Sequence, residues 1–347
     1  MEQQTVAPSA PRHLYMDLLN ILCAFLVVLF HCNQLIYQYA PNAAWYLSVV
    51  IRSLTYSAVP VFFMLSGAHL CGYRARYSTK EFFRRRWRRL GIPFLFWYAL
   101  GILYAAVRGL MSRTPAKLFS EVFNSSYIAA YWFFFPLLAL YLAMPVLSLL
   151  TENPRWRKYL WYMVALGFAT HFVAPVISDA AGILYNSRIS FPLTGGFVVP
   201  ALFGWLVAQT EWKRRHRILL YLSAVFSCVL AVFATIFLSA RQGASDLRFF
   251  AYTAFPSQLT GAALFVAFRH LPVRASAAAA KHVQTIGGCC LGVWLMHPFV
   301  LVLLQILLSD RSIHTAPWRY AVAPAVYLVC MGAVYLLKKI PVLRRIV

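Results

Sequence analysis

His31 lies deep inside an apolar stretch, Met16 to Cys32, whose start carries Asp17 and Asn20. On a helix, the spacing from Asn20 to His31 is about three turns, so both side chains share one face about 16 Å apart along the axis. An ionisable group in such a stretch is costly to bury and is a functional candidate for that reason. Of the nine Asp and Glu, only Asp17 and Asp179 touch the ends of apolar stretches. Proton chemistry in the apolar interior therefore falls to histidine, or to weak groups such as tyrosine and cysteine. A neutral imidazole there can act as a general base or as a nucleophile.

Other residues could join it. The run Glu81-Phe-Phe-Arg-Arg-Arg-Trp-Arg-Arg-Leu-Gly-Ile-Pro93 holds five arginines in six positions. Its plain reading is a charged anchor against lipid head groups. Its sharper reading is an anion site, with Arg86 and Arg89 three apart on one face and suited to phosphate. Val59-Pro-Val-Phe-Phe-Met-Leu-Ser-Gly67 contains Pro60, which can break a helix, and Ser66 and Gly67, which permit close packing or a polar contact. Tyr131-Trp-Phe-Phe-Phe-Pro136 reads as an interfacial aromatic belt, or, through Trp132, as the wall of a sugar site. Leu291-Gly-Val-Trp-Leu-Met-His-Pro298 adds Trp294 and His297. His171 has no motif around it, and His69 reads as an interfacial histidine. The seven cysteines show neither metal-ligand spacing nor a disulfide framework, and no metal site is expected.

The elements that must position these residues are membrane helices. The chain is 61% hydrophobic and 12% charged over 347 residues. Its recurrent apolar runs are each long enough to cross about 30 Å of hydrocarbon. Ten spans are expected, near 17–38, 46–71, 91–109, 127–150, 159–179, 191–210, 218–239, 250–268, 285–308 and 320–337. The fold class is all-α, a polytopic membrane bundle forming one domain over 1–347. The first 16 residues lack a signal-peptide pattern, so the first helix is expected to stay as an anchor. With both termini in the cytoplasm, as a tail over 1–16 and a basic tail over 338–347, the inner segments hold 23 of the 32 Lys and Arg. Arg12 and Arg274 are among them. This bias fixes the orientation. It also accounts for the net charge of +23 without nucleic acid as a partner.

Taken in order, Asp17 to His31, Val59 to Gly67, Arg86-Trp-Arg-Arg-Leu-Gly-Ile-Pro93, Trp132-Phe-Phe-Phe and Leu291 to Pro298 resemble the acyltransferase family 3 membrane proteins. The resemblance runs from the first span to the ninth. It implies a stand-alone member, similar to the enterobacterial common antigen O-acetyltransferase type, without the extracytoplasmic esterase-like domain that some relatives append. His31 matches the family's essential first-span histidine, and Arg86 and Arg89 match its Arg-x-x-Arg pair. Two positions depart from the pattern. Asn20 stands where an arginine is usual, and Ala130 where a histidine often precedes the tryptophan.

What the resemblance implies is O-acylation, with acetyl-CoA as acyl donor and a glycan or lipid-linked sugar of the cell envelope as acceptor. The location implied is the cytoplasmic membrane. CoA phosphates would dock near Arg86 and Arg89, with Asn20 on the path and His31 as base or acyl carrier. Ser66, Trp294 and His297 are candidate oxyanion donors. Two other readings stand beside it. One is a proton-coupled exporter of a glycan precursor, with His31, His171 and His297 as relay. The other is an inactive relative that serves as an assembly partner.

Overall fold

The computed structural model describes residues 13–124, 127–189, 191–273, 275–307 and 316–347. Arg12, Arg274 and most of the expected N-terminal tail lie outside the described residues. The fourteen α-helices among the described residues are joined by short 3-10 and π turns. Eight helical stretches are long and apolar enough to cross a membrane. The chain is therefore a polytopic helical membrane bundle, and side chains such as Leu222, Phe226 and Phe233 present its apolar surface outward.

The expected sixth and eighth spans take a different form. They are α10 (Val198–Gln209) and α12 (Phe255–Arg269), of 12 and 15 residues. At about 1.5 Å per residue each falls short of 30 Å. Both pack against the middle of the bundle. An apolar run reads the same whether it faces lipid or other helices, so composition alone did not separate the two cases.

α1 (Leu14–Cys32) is the central helix and packs on α3 (Ala58–Leu70), α12, α13 (Ala277–Leu307) and α14 (Ala316–Lys339). It ends earlier than expected. Asn33 leaves the helical region at φ −82°, ψ 59°. Its fully buried amide donates to the Ser48 carbonyl at 2.8 Å and accepts from the Tyr320 hydroxyl at 3.1 Å. His31 therefore stands in the last turn of α1 rather than at the middle of a longer helix.

The second span is two helices, α2 (Ala43–Thr55) and α3, broken at Tyr56 and Ser57. Pro60 lacks the N–H that would bond back to Tyr56, so the helix cannot run through. α3 then lies against α10 at backbone contact. A Cβ on Gly67 would collide with the Ala201 carbonyl, and one on Gly204 with the Met64 carbonyl. Small residues of this kind let membrane helices approach closely.

Basic α4 (Thr79–Arg86) continues into α5 (Ile92–Val107) through a π turn, Trp87–Gly91. Pro93 follows, and its missing N–H frees the Arg89 carbonyl inside that turn. A second π turn, Ala169–Val173, joins α8 (Arg157–Phe168) to α9 (Ala174–Ala180), again just ahead of a proline, Pro175. The bundle is completed by α6 (Pro115–Phe123), α7 (Phe134–Glu152) and α11 (Arg214–Gln242). Beyond α11 the loop is pinned by Asp246, which accepts from Arg248 Nη2 at 2.8 Å, while Arg248 also reaches Asp179 at 3.1 Å. The segment expected as a basic tail folds back, and Trp97 Nε1 donates to the Ile346 carbonyl at 2.8 Å.

Candidate active site

The last turn of α1 brings His31 against α13. The imidazoles of His31 and His297 lie 5.0 Å apart between centres, tilted by 40°. His297 is fully enclosed. Its Nδ1 lies 3.1 Å from the Val293 carbonyl, which makes Nδ1–H the donor, and its Nε2 has no hydrogen-bond partner among the described residues. Pro298 follows directly and leaves the carbonyl one turn earlier without its usual donor.

A narrow cleft opens on His31, lined also by Val27, Thr55, Val59, Trp132, Tyr252 and Trp294. It has room for about one water molecule. Thr55 and Val59 flank the α2–α3 break, so that break is what turns both into the cleft. Trp132 is turned inward as a wall, with its ring 4.8 Å from Tyr252 and inclined by 31°. Trp294 contributes an indole N–H that has no partner among the described residues. Tyr131, fully buried, donates to the Leu295 carbonyl at 2.5 Å and so locks the turn before α7 onto α13.

The arginine-rich end is a second cluster. The Arg86 guanidinium carbon lies 6.0 Å from the Tyr141 ring centre, and Ser66, Arg86 and Arg89 all neighbour the Tyr141 hydroxyl. Arg86 is half-buried, whereas Arg89 is exposed. The π turn that begins at Trp87 accounts for the difference, because its wider winding turns Arg89 away from the α-helical register. Ser66 is thus placed with the arginines and not with His31. The two clusters share the face of α3 that carries Val59, Phe62 and Ser66, about 10 Å from first to last. Between them the interior is filled by Phe62, Phe133 and Trp294, with Phe62 5.2 Å and Phe133 4.2 Å from the Trp294 ring centre.

Asp17 and Asn20 close the inner end of α1 onto α13. Asn20 Nδ2 donates to the Gly287 carbonyl at 3.0 Å, and a Cβ on Gly287 would come 2.9 Å from Asp17 Oδ1. Lys338 donates to the neighbouring Gly288 carbonyl. His171 stands apart on the α8–α9 turn, with Phe172 as its ring neighbour.

Sequence reasoning missed Tyr141, Tyr252 and Arg52. Arg52 is 1% exposed and stacks 3.8 Å over the Phe30 ring, beside His31. Its signal was available: like His31, it is an ionisable residue inside an apolar stretch. Tyr141 and Tyr252 carried no such mark among the chain's 20 tyrosines.

The protein is thus a multi-pass helical bundle with a paired-histidine cleft at one depth and a guanidinium cluster at one end. The Acyltransferase domain family (Acyl_transf_3) matches residues 13–337, and the chain belongs to that family. Its class of reaction is acyl transfer. A search of curated proteins returns no match, and neither does a search of solved structures.

Proposed function

We infer that the protein is an O-acyltransferase that takes an acyl group from cytoplasmic acyl-CoA and gives it to a hydroxyl of a cell-envelope glycan or lipid-linked sugar. The observation that carries this reading is the His31–His297 pair at the head of a cleft walled by Trp132 and Trp294. The arginine-rich end is cytoplasmic, and the membrane is the inner one, in line with the bias of basic residues. The CoA phosphates bind Arg86 and Arg89, with Tyr141 and Ser66 completing the polar mouth. Asn20 lines the way from α1.

The pantetheine arm reaches His31 by displacing the rings of Phe62, Phe133 and Trp294 that fill the space between the two clusters. The acceptor hydroxyl gives its proton to the neutral imidazole of His31 while its oxygen attacks the thioester carbonyl. Trp294, which lines the cleft and whose indole N–H has no partner among the described residues, is the proposed donor to the resulting oxyanion. The tetrahedral species then expels the CoA thiolate, which recovers the proton from His31. His297 packs its ring against that of His31. Acetyl is the acyl group favoured by the resemblance to the stand-alone O-acetyltransferases.

Reconstituted protein given acetyl-CoA and envelope lipid extract is expected to release free CoA and acetylate the extract, and His31→Ala is expected to do neither. Product acetylation by the His31→Ala protein would overturn the reading. Substrate movement across the vesicle without CoA release would replace it with a carrier.

A further inference from the structure

Arg52 is a buried cation without a counter-charge. No carboxylate among the described residues pairs with it, and the residue is 1% exposed. Moving an unpaired guanidinium out of water is expensive. Three rings offset part of that cost, because the guanidinium carbon lies 3.8 Å from Phe30, 4.4 Å from Tyr56 and 5.0 Å from Tyr37. Nη2 donates to the hydroxyls of Tyr37 and Tyr56, each at 2.6 Å. Nε and Nη1 have no hydrogen-bond partner among the described residues.

The chemistry of this group is one-sided. Each tyrosine oxygen already accepts from Arg52, so its own O–H is left to donate. Unclaimed donors therefore come from the guanidinium and from two phenols, around a full positive charge. Such a set suits an oxyanion. Phe30 and Tyr56 also tie the group to the cleft, since Phe30 sits 5.0 Å from His31 and Tyr56 sits 4.5 Å from Tyr252 between ring centres. The outermost member is Tyr37, 51% exposed and carried on the short 3-10 turn Gln34–Tyr37 that follows α1. Tyr37 is therefore the side chain through which the group meets the surface, and its displacement is the access that an anion would require.

We propose that Arg52, with Tyr37 and Tyr56, is an anion subsite beside the His31 cleft that takes a carboxylate or phosphate group carried by the acceptor. Calling the ligand an acceptor rests on the acyl-transfer reading; the anion site itself does not. The anion has two sources of the same chemistry, the carboxylate of a sugar acid and the phosphate of a polyprenyl carrier.

The test is therefore a binding measurement and not turnover. Purified full-length protein is titrated with sodium glucuronate and with pyrophosphate, with glucose as neutral control, by thermal shift in detergent. The same protein is measured in phosphatidylcholine nanodiscs with and without polyprenyl phosphate. Saturable stabilisation by at least one anion, none by glucose, and an affinity about tenfold or more weaker in Arg52→Gln are expected. A glucuronate response assigns the anion to a sugar acid, and a response confined to polyprenyl phosphate discs assigns it to the lipid carrier. Equal affinity in wild type and Arg52→Gln overturns the proposal, as does the absence of any saturable response in wild type. Should Arg52→Gln not fold, the Tyr37→Phe/Tyr56→Phe double variant keeps the cation and the rings but removes both O–H donors. Weakened anion binding there supports the subsite, and wild-type affinity overturns it. A silent CoA-release assay leaves these results standing, so the two readings fail separately.

Discussion

His31 on α1 and His297 on α13 face each other with ring centres 5.0 Å apart. Their surroundings differ: His31 looks into the cleft, whereas His297 is wholly enclosed with Nδ1 held by the Val293 carbonyl. On the proposed reading His31 is the member that meets substrate, and His297 is the buried ring packed against it. Replacing His31 with Ala is expected to abolish detectable acyl transfer, loss of a positioned base alone being worth roughly 10²–10⁴-fold, while the protein still elutes as a monodisperse, helical species. His297→Gln is expected to lose less and mainly in kcat. CoA release by both variants, with circular dichroism as the folding control, checks this.

At the arginine-rich end, Arg86 and Tyr141 meet beside Ser66. A guanidinium offers a planar fork that an ammonium lacks. Arg86→Lys is therefore expected to raise KM for acyl-CoA about tenfold with little change in kcat. A rise in acceptor KM instead would move this cluster out of the donor path.

Trp132 and Tyr252 stack 4.8 Å apart in the cleft wall. Trp132→Ala removes an aromatic platform and is expected to raise KM for the acceptor severalfold, leaving that for acyl-CoA unchanged. Initial-rate measurements with each substrate varied in turn decide it.

α3 and α10 touch through Gly67 and Gly204 with no room for a side chain. The atoms in the way are backbone, which cannot swing aside. Gly204→Val is expected to cost at least the roughly 1–3 kcal/mol typical of overpacking, seen as a lower unfolding temperature in detergent. A wild-type melting curve would contradict the close contact.

The loop after α11 carries a pH-dependent element. Burial on its own would push the Asp246 carboxyl up, but hydrogen bonds and charge from Arg248 outweigh it and hold the carboxyl below the usual carboxylate range. Folding then draws stability from this pair above the unfolded value, about pH 4. That stability is lost as the pH falls through the folded value. Asp246→Asn is expected to be less stable than wild type at pH 7 and to converge with it once the pH has fallen below the folded value of Asp246. Unfolding temperature against pH measures the convergence.

Much of this architecture is legible in the sequence, and the reasons are physical. Apolar length reports membrane helices well, because hydrocarbon thickness sets a minimum. His31 and the arginine-rich turn stand out because charge is rare in such a chain. What could not be read was three-dimensional pairing. Nothing around His297 says that it meets His31, and Tyr141 becomes meaningful only once Ser66 and Arg86 converge on it. The end of α1 was misplaced because Asn33 stops the helix through a tertiary contact with Ser48 and Tyr320. Arg52 was a different kind of miss, since its charge inside an apolar run was visible and only its ring partners were hidden.

The aromatic filling made by Phe62, Phe133 and Trp294 has a further consequence for the cell. A bundle that lets a thioester reach across a bilayer risks short-circuiting the ion gradients on either side. On the proposed route the three rings must part for the pantetheine arm, and their closing behind it would keep water from following.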